Sequence, residues 1–391
     1  STGPWISDMK NAVKRVVRSI LQRRSAELLP GVAKSVLRAW SNAPVYPQVL
    51  QVEPTRRCNL RCVMCALTQF YYKDKTQDMT LDDFKRIVSQ MPKSLKQVTI
   101  QGTGEPLLNK DLVAMIEFTR AQGFRSYFNT NLLPLTNEMA DRLVAAGHDE
   151  IMVSIETANQ DRYADIRRNG TLERFLENLR KIKQAKDRAG SSKPELSACC
   201  ILMKHTLGDI PELVAMLKQY GVTKMQIADM CTYPEYQGPL TLADGSDLRD
   251  QSLSATMSEK DVWDAVARIK ELSSADFEIT VPGEWGGLKI EQPRNGTILT
   301  CAELWKVPFV KTNSEMATCC WAPQFVMGDF KTQTFEEIWF GKAYRGMRLS
   351  HLSNNPPEHC RKCQQRIYAV AVPSRLFGRT HSRNRTSEVF F

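Results

Sequence analysis

No apolar run in the sequence approaches the roughly 20 residues a helix needs to span a bilayer, so a helical membrane protein is excluded as a class. No signal peptide with a small-residue cleavage site opens the chain. The expected location is therefore the cytoplasm, with thiols reduced rather than paired. Internal repeats and low-complexity segments are also missing, which removes solenoids and tail-like segments. Hydrophobic residues at 42% and charged residues at 25% match an average globular protein, so disordered, collagen-like and coiled-coil classes fall away. At 391 residues the chain suits one large or two medium domains. What it does have is cysteine: eleven of them, and their spacing is informative.

Charge is placed unevenly. Residues 1–45 hold eight Lys/Arg (Lys10, Lys14, Arg15, Arg18, Arg23, Arg24, Lys34, Arg38) against Asp8 and Glu27, a net +6 of the whole chain's +10. Ile6, Met9, Val13, Val16, Val17, Ile20 and Leu21 fall on one face of a helix. A basic amphipathic helix suits an anionic membrane surface, an acidic partner or an organelle transit peptide. It equally suits a helix packed on its own domain with a solvated basic face. Pro30-Gly31 ends it, and a second apolar stretch follows from Val32 to Trp40. Peripheral membrane contact through residues 1–40 stays open. Nucleic acid is not an expected partner, because only Trp5 and Trp40 interleave with the charges.

From residue 48 to about 280, strand-like runs alternate with helix-like ones. The strands are expected at Val49–Val52, Val98–Ile100, Ser126–Phe128, Ile151–Ile155, Cys199–Met203 and Met225–Ala228. One helix starts at Thr80, with Asp83 completing a capping-box-like start and Phe84, Ile87 and Val88 inward. Another places Leu172, Phe175, Leu176, Leu179 and Ile182 on one face. A third has Pro211 in its first turn and stops at Gly221. Serial βα units predict an α/β fold with a parallel sheet or barrel and a ligand site at the carboxyl ends of its strands. Three parts are expected: a helical segment over 1–45, the βα core over 46–285, and a smaller Cys-bearing module over 286–391.

The first expected strand runs into Glu53-Pro54-Thr55-Arg56-Arg57-Cys58-Asn59-Leu60-Arg61-Cys62-Val63-Met64-Cys65. Three thiols within eight residues, with no His or fourth Cys nearby, do not fill a structural zinc site. They suit a [4Fe–4S] cluster that keeps one iron open. This stretch resembles the radical S-adenosylmethionine (SAM) superfamily, whose signature is C-x3-C-x2-C after the first barrel strand. The resemblance implies a partial (β/α)6 barrel, with Cys58, Cys62 and Cys65 as ligands and SAM on the open iron. Reductive cleavage of SAM would then yield a 5′-deoxyadenosyl radical that takes a hydrogen atom from the substrate. Met64 stands where the family often has an aromatic residue against the adenine. Gln101-Gly102-Thr103-Gly104-Glu105-Pro106 resembles the segment that binds the SAM ammonium, through Gly104 and Glu105. Asn129-Thr130-Asn131 is expected near the ribose, with Asn131 in contact. Ser154 and Arg168 are expected at the ribose and the carboxylate, with Arg167 competing for the latter. A flavodoxin or ferredoxin is the electron donor that the resemblance implies.

A second cysteine group comprises Cys301, Cys319-Cys320-Trp321 and Cys360-Arg361-Lys362-Cys363, with Gly328-Asp329-Phe330 between them. This order resembles the SPASM and shortened twitch modules at the C-termini of radical SAM enzymes. Five cysteines replace the seven of a full SPASM module, and Ser314 stands where its Gly-x4-Cys pattern wants glycine. One auxiliary [4Fe–4S] cluster on Cys301, Cys319, Cys360 and Cys363 is expected. Cys320 is the spare or an alternate for Cys319. A zinc ribbon is the structural alternative.

The expected chemistry is oxidation of a small carbohydrate, cyclitol or nucleoside-like substrate, whose radical passes an electron to the auxiliary cluster. Two alternatives are redox-neutral epimerisation, with Cys231 returning the hydrogen, and modification of a ribosomal peptide. The 45 residues ahead of the first strand are fewer than a peptide-recognition domain needs, which weighs against the peptide alternative. A non-enzymatic iron–sulfur scaffold would have no use for the Gly104-Glu105 element.

Overall fold

The computed structural model describes residues 46–65, 77–230, 241–281, 297–353, 355–363 and 367–370. The basic segment over 1–45, Cys231 and the expected boundary at 285/286 lie outside the described residues.

The core runs β1 (Val49–Val52), α1 (Leu81–Val88), β2 (Gln97–Ile100), α2 (Leu112–Ala121), β3 (Arg125–Thr130), α3 (Asn137–Ala145), β4 (Glu150–Ser154), α4 (Gln160–Ile166), α5 (Leu172–Ala189), β5 (Glu195–Leu202), α6 (Ile210–Gln219), β6 (Lys224–Asp229), α7 (Glu259–Lys270) and β7 (Glu278–Thr280). Neighbouring strands from β1 to β7 are parallel and lie in chain order. Every crossover therefore steps the same way, and right-handed crossovers put all the helices on one face. The sheet curls around its other face, as in a partial barrel.

Local signals account for the element ends. Thr80 caps α1 by accepting from the Asp83 N–H, and Thr171 caps α5 by accepting from the Arg174 N–H. Gly190 ends α5 in the left-handed region. Alternation along the strands then sorts the side chains. Leu50, Val52, Val98, Ile100, Phe128, Ile151, Val153, Ala198 and Cys200 share one core cluster with Phe84, Leu112, Leu143, Phe175 and Leu213 of the helices. β5 starts at Glu195, four residues ahead of the run expected from Cys199. β7 adds a seventh parallel strand that its three residues did not announce.

The C-terminal part comprises β8 (Thr297–Thr300), β9 (Phe309–Val310), β10 (Glu315–Ala317), β11 (Val326–Asp329), α8 (Phe335–Trp339), α9 (Lys342–Leu352), α10 (Glu358–Lys362) and β12 (Ile367–Val370). β9 pairs in parallel with β1, and β10 and β11 follow antiparallel, so one ten-stranded sheet joins both parts. β8 and β12 form a separate antiparallel pair. Among the described residues no helix is long and apolar enough to cross a membrane.

Candidate functional site

The Cys58–Cys65 loop leaves the carboxyl end of β1 and is held by its backbone. Arg61 N–H donates to Arg168 O at 3.0 Å and Val63 N–H to Ile166 O at 2.9 Å. Glu105 N–H donates to Arg57 O at 2.8 Å, which closes the loop against the end of β2. Gly104 makes that closure possible, because a Cβ there would run into the carbonyl oxygens of Thr55 and Arg57. Its service is close packing of two loops.

The three thiols lie within electrostatic reach of one another. Burial pushes the Cys58 thiol up to about 11 and the Cys62 thiol up to about 12, so neither ionises readily without a positive partner. An iron cluster supplies that positive charge, and three mutually repelling thiolates in a buried loop fit its requirements. Two protein groups add to the fit. The Asn131 Nδ2 lies 4.0 Å from Cys58 Sγ and donates to Asn59 Oδ1 at 3.0 Å. The Arg167 Nη1 lies 3.9 Å from Cys62 Sγ.

The two candidate arginines, Arg167 and Arg168, are placed differently. Arg167 is buried and paired in bidentate fashion with Glu156, at 2.7 Å and 2.6 Å, while Glu156 is only 1% exposed. Arg168 is a partly exposed residue that donates to Thr241 O at 2.5 Å and reaches Asp165 at 3.7 Å. The reason is local: α4 ends at Ile166, and Arg167 departs to φ −104°, ψ 61°. The buried stripe through Tyr163 thus continues one turn later at Arg167. That four-residue spacing was the available signal.

Glu105 also does more than its motif suggests. Its buried carboxylate accepts from Thr130 Oγ1 at 2.6 Å, Leu107 N–H at 3.1 Å and Asn131 N–H at 2.7 Å, tying the end of β2 to the end of β3. Burial raises its pKa to about 7, against those three bonds. Met64 packs with Val63, Ile166, Met203, Met230, Leu242 and Leu248 in a small apolar cluster apart from the main core. Ser154 is half-buried at the end of β4, in register with Cys199 of β5.

The distant cysteines are gathered by pairing. β12 aligns Ile367 with Thr300, which brings the chain just after Cys363 to the residue just before Cys301. His359 Nε2 lies 3.0 Å from Trp321 O, linking the Cys360–Cys363 turn to the Cys319–Cys320 loop. Cys319 lies in electrostatic reach of Cys301 and Cys363, and burial is the main reason its thiol is held well above the ordinary range. Burial likewise pushes the Cys320 thiol up to about 12, with Glu303 of the module adding to the rise and the Gln51 side chain of β1 opposing it. Burial pushes the Cys301 thiol up to about 12, with the Glu303 carboxylate adding to the rise. Among the described residues no three His, Cys, Asp or Glu side chains converge as ligands of a single metal ion.

The two regions meet at Glu53. Its carboxylate accepts from Thr103 N–H at 3.0 Å, Thr103 Oγ1 at 2.6 Å, Arg56 Nε at 3.2 Å and Thr312 N–H at 3.4 Å. The concave face between them carries Gln51, Thr99, Gln101, Asn129, Ser154, Cys199 and Gln226, the alternate positions of β1 to β6 and their ends. Charged groups at the face's amino end are paired, as Arg125 with Glu150 at 2.5 Å and Lys224 with Glu195 at 3.4 Å.

These features define a partial α/β barrel with a cysteine loop at the carboxyl end of its first strand. The family described as "Radical SAM superfamily" matches residues 52–192, and "Iron-sulfur cluster-binding domain", SPASM, matches residues 301–364. The chain belongs to the radical SAM superfamily and is a radical SAM enzyme with a C-terminal SPASM domain. These domains imply a [4Fe–4S] cluster with SAM and an auxiliary iron–sulfur cluster. The tungsten-containing aldehyde ferredoxin oxidoreductase cofactor-modifying protein of Pyrococcus furiosus is 27% identical over 50% of this chain and 55% of its own length. The chain thus spans about half of that curated relative. The PqqA peptide cyclase of Ruegeria pomeroyi is 23% identical over 82% of this chain and 80% of its own. Streptococcus suis SuiB, solved with S-adenosylmethionine, shares the fold at TM-score 0.63 and 15% identity, covering 86% of this chain and 78% of that one.

Proposed function

We propose that the chain modifies a peptide held on the concave face of its sheet. The observation that carries this reading is the chemistry of that face. Gln101, Asn129, Gln226 and Ser154 are partly exposed on it, and with the Gln101 and Asn129 side-chain oxygens already engaged, their amide nitrogens face it as neutral donors of the kind peptide carbonyls take. The charges described at its two ends, including Arg167 with Glu156, are paired within the protein. A phosphorylated substrate calls for free cations there. A sugar or cyclitol offers hydroxyls that suit the same face, but similarity to a peptide cyclase over four-fifths of both chains supports the peptide.

In this proposal Cys58, Cys62 and Cys65 hold the first cluster, and Cys301, Cys319, Cys360 and Cys363 hold the auxiliary one. When bound, the first cluster and SAM supply the radical that removes a substrate hydrogen, and the auxiliary cluster accepts an electron. The chain's own residues set up that chemistry. Arg167, fixed by Glu156, offsets thiolate charge at Cys62, and Asn131 directs an amide donor at Cys58. Glu105 holds the ends of β2 and β3 in place beside the cysteine loop. Met64 and its apolar neighbours exclude water on one side, and Ser154 presents a hydroxyl on the other. Cys320 is the spare in this assignment. A flavodoxin or ferredoxin donor belongs to the same proposal.

The test is anaerobic incubation of the reconstituted chain with SAM, dithionite and the short peptides encoded beside its gene. A peptide lighter by a pair of hydrogens, formed alongside 5′-deoxyadenosine, is expected. Modification of an added sugar or cyclitol, with every peptide unchanged, overturns the reading. A peptide of unchanged mass carrying a solvent deuteron points to epimerisation instead.

A further inference from the structure

Arg348, on α9, is 2% exposed. Its Nε donates to Leu304 O at 2.9 Å and its Nη1 to Trp339 O at 2.8 Å. The guanidinium carbon lies 4.1 Å from the Trp339 ring centroid and 4.6 Å from that of Tyr344. Nη2 is buried with no hydrogen-bond partner, and no carboxylate pairs with this arginine among the described residues. Burial pulls its pKa down to about 10, the mark of a cation kept from water without an anion to compensate. Carbonyl oxygens and ring faces hold such a group in place, but they do not neutralise it.

The missing anion has a place. Tyr344, under the guanidinium, lies in electrostatic reach of Cys319 and Cys301 and donates its hydroxyl to Ala317 O at 3.3 Å. Leu304, whose carbonyl Arg348 holds, follows Cys301 by three residues, and Ala317 precedes Cys319 by two. Arg348 therefore backs, directly and through Tyr344, the segments that carry Cys301 and Cys319, two of the thiols assigned above to the auxiliary cluster.

We propose that Arg348 is the built-in countercharge of the auxiliary cluster, a positioning residue that makes this cluster easier to reduce. The inference rests on the ligand assignment of Cys301, Cys319, Cys360 and Cys363. Four thiolates outweigh the positive core of a cubane, and reduction adds a further negative charge. A fixed cation behind those segments stabilises the reduced form more than the oxidised form. The aromatic walls keep water, and so screening, away from the pair.

The experiment is an EPR redox titration of the auxiliary cluster in the full chain, with Cys58, Cys62 and Cys65 replaced by alanine so that one cluster is read. Arg348→Gln keeps hydrogen-bond donors for the two carbonyls and removes the charge, whereas Arg348→Lys keeps the charge. At the parent midpoint, Arg348→Gln is expected to lower the reduced-to-oxidised ratio about tenfold, a shift of about 59 mV for one electron. Arg348→Lys is expected to titrate close to the parent. A Gln variant that fails to load the cluster while the Lys variant loads it also supports the countercharge. An intact cluster with parent potential in the Gln variant overturns it and leaves a clamp for Leu304 and Trp339. Failure of both variants to load overturns it in the same way. A parent chain without any second cluster overturns the ligand assignment itself, and this proposal with it.

Discussion

Cys58, Cys62 and Cys65 come from eight consecutive residues on one loop, whereas Cys301, Cys319, Cys360 and Cys363 come from segments spread over sixty-three. The first set is shaped locally and then dressed by neighbours: Gly104 beneath it, Asn131 at Cys58, Arg167 with Glu156 at Cys62. The second set exists only because distant pairings succeed, β12 on β8, β9 on β1 and His359 on Trp321. One set asks little of the fold beyond the end of a strand. The other requires most of the C-terminal part to be folded before its thiols meet.

The largest effect that separates the two regions is loss of one cluster at a time. The reconstituted chain is expected to carry about eight irons, two four-iron clusters. Replacing Cys58, Cys62 and Cys65 with alanine should leave about four irons and abolish SAM cleavage. Replacing Cys301, Cys319, Cys360 and Cys363 should also leave about four, but SAM cleavage should persist without product. Iron analysis and 5′-deoxyadenosine chromatography read both outcomes. The adjacent pair sharpens the contrast: Cys319→Ala should lose the auxiliary cluster and Cys320→Ala should keep it. The reverse would make Cys320, the alternate, the ligand in place of Cys319. Stoichiometric zinc with four irons would return the C-terminal set to the zinc-ribbon alternative.

Next in size is the buried pair beside Cys62. Arg167→Met strands Glu156 without its partner, and breaking a buried pair from one side costs about 3–5 kcal/mol. Arg168→Ala removes only partly exposed contacts and should change stability by about 0.5 kcal/mol or less. Chemical denaturation of the two reconstituted variants decides between them. Equal losses would mean that the Glu156 pair contributes no more than a surface contact.

This contrast in construction also separates what was legible from what was not. Val49–Val52 could be read to the residue, and the helix start at Thr80 follows from its capping side chain. The cysteine loop was legible because its spacing is its chemistry. Which of Arg167 and Arg168 turns inward is not legible, because a one-residue choice at a helix end depends on a backbone rotation that composition does not reveal. Glu105 and Gly104 were found as a motif, yet their contacts are with the protein's own loops, which only the packed β2 and β3 ends disclose. Gln51 was hidden for a similar reason. It lies in an ordinary strand, and the carbonyl it donates to, Gln101 O, is 50 positions away. β7, β9 and β10 span two or three residues each, too short for a period to declare itself.

The smallest effect tests how the second region is anchored to the first. Ser314 ends the turn between β9 and β10 at φ +73°, fully buried, the one place where the module's cysteine pattern wanted glycine. Its N–H donates to Lys311 O at 3.0 Å and its carbonyl accepts from Phe330 N–H at 3.1 Å, so neighbours hold the left-handed conformation on both sides. A serine pays about 1 kcal/mol or more to sit there. Glycine removes that cost and adds roughly 0.5–1 kcal/mol of unfolded-chain entropy, besides losing a long 3.4 Å bond from Arg86 to Ser314 Oγ. Ser314→Gly is therefore expected to be neutral or stabilising by up to about 1 kcal/mol, and Ser314→Val to be clearly destabilising. The turn places Thr312 N–H 3.4 Å from Glu53 at the foot of the cysteine loop, so loosening it should reach the SAM side as well. Denaturation midpoints and SAM affinity measured on both variants check the two halves of that statement. A valine variant as stable as the parent would show that the turn is not held in its left-handed form. A destabilised valine variant with unchanged SAM affinity would show that Glu53 does not couple the regions.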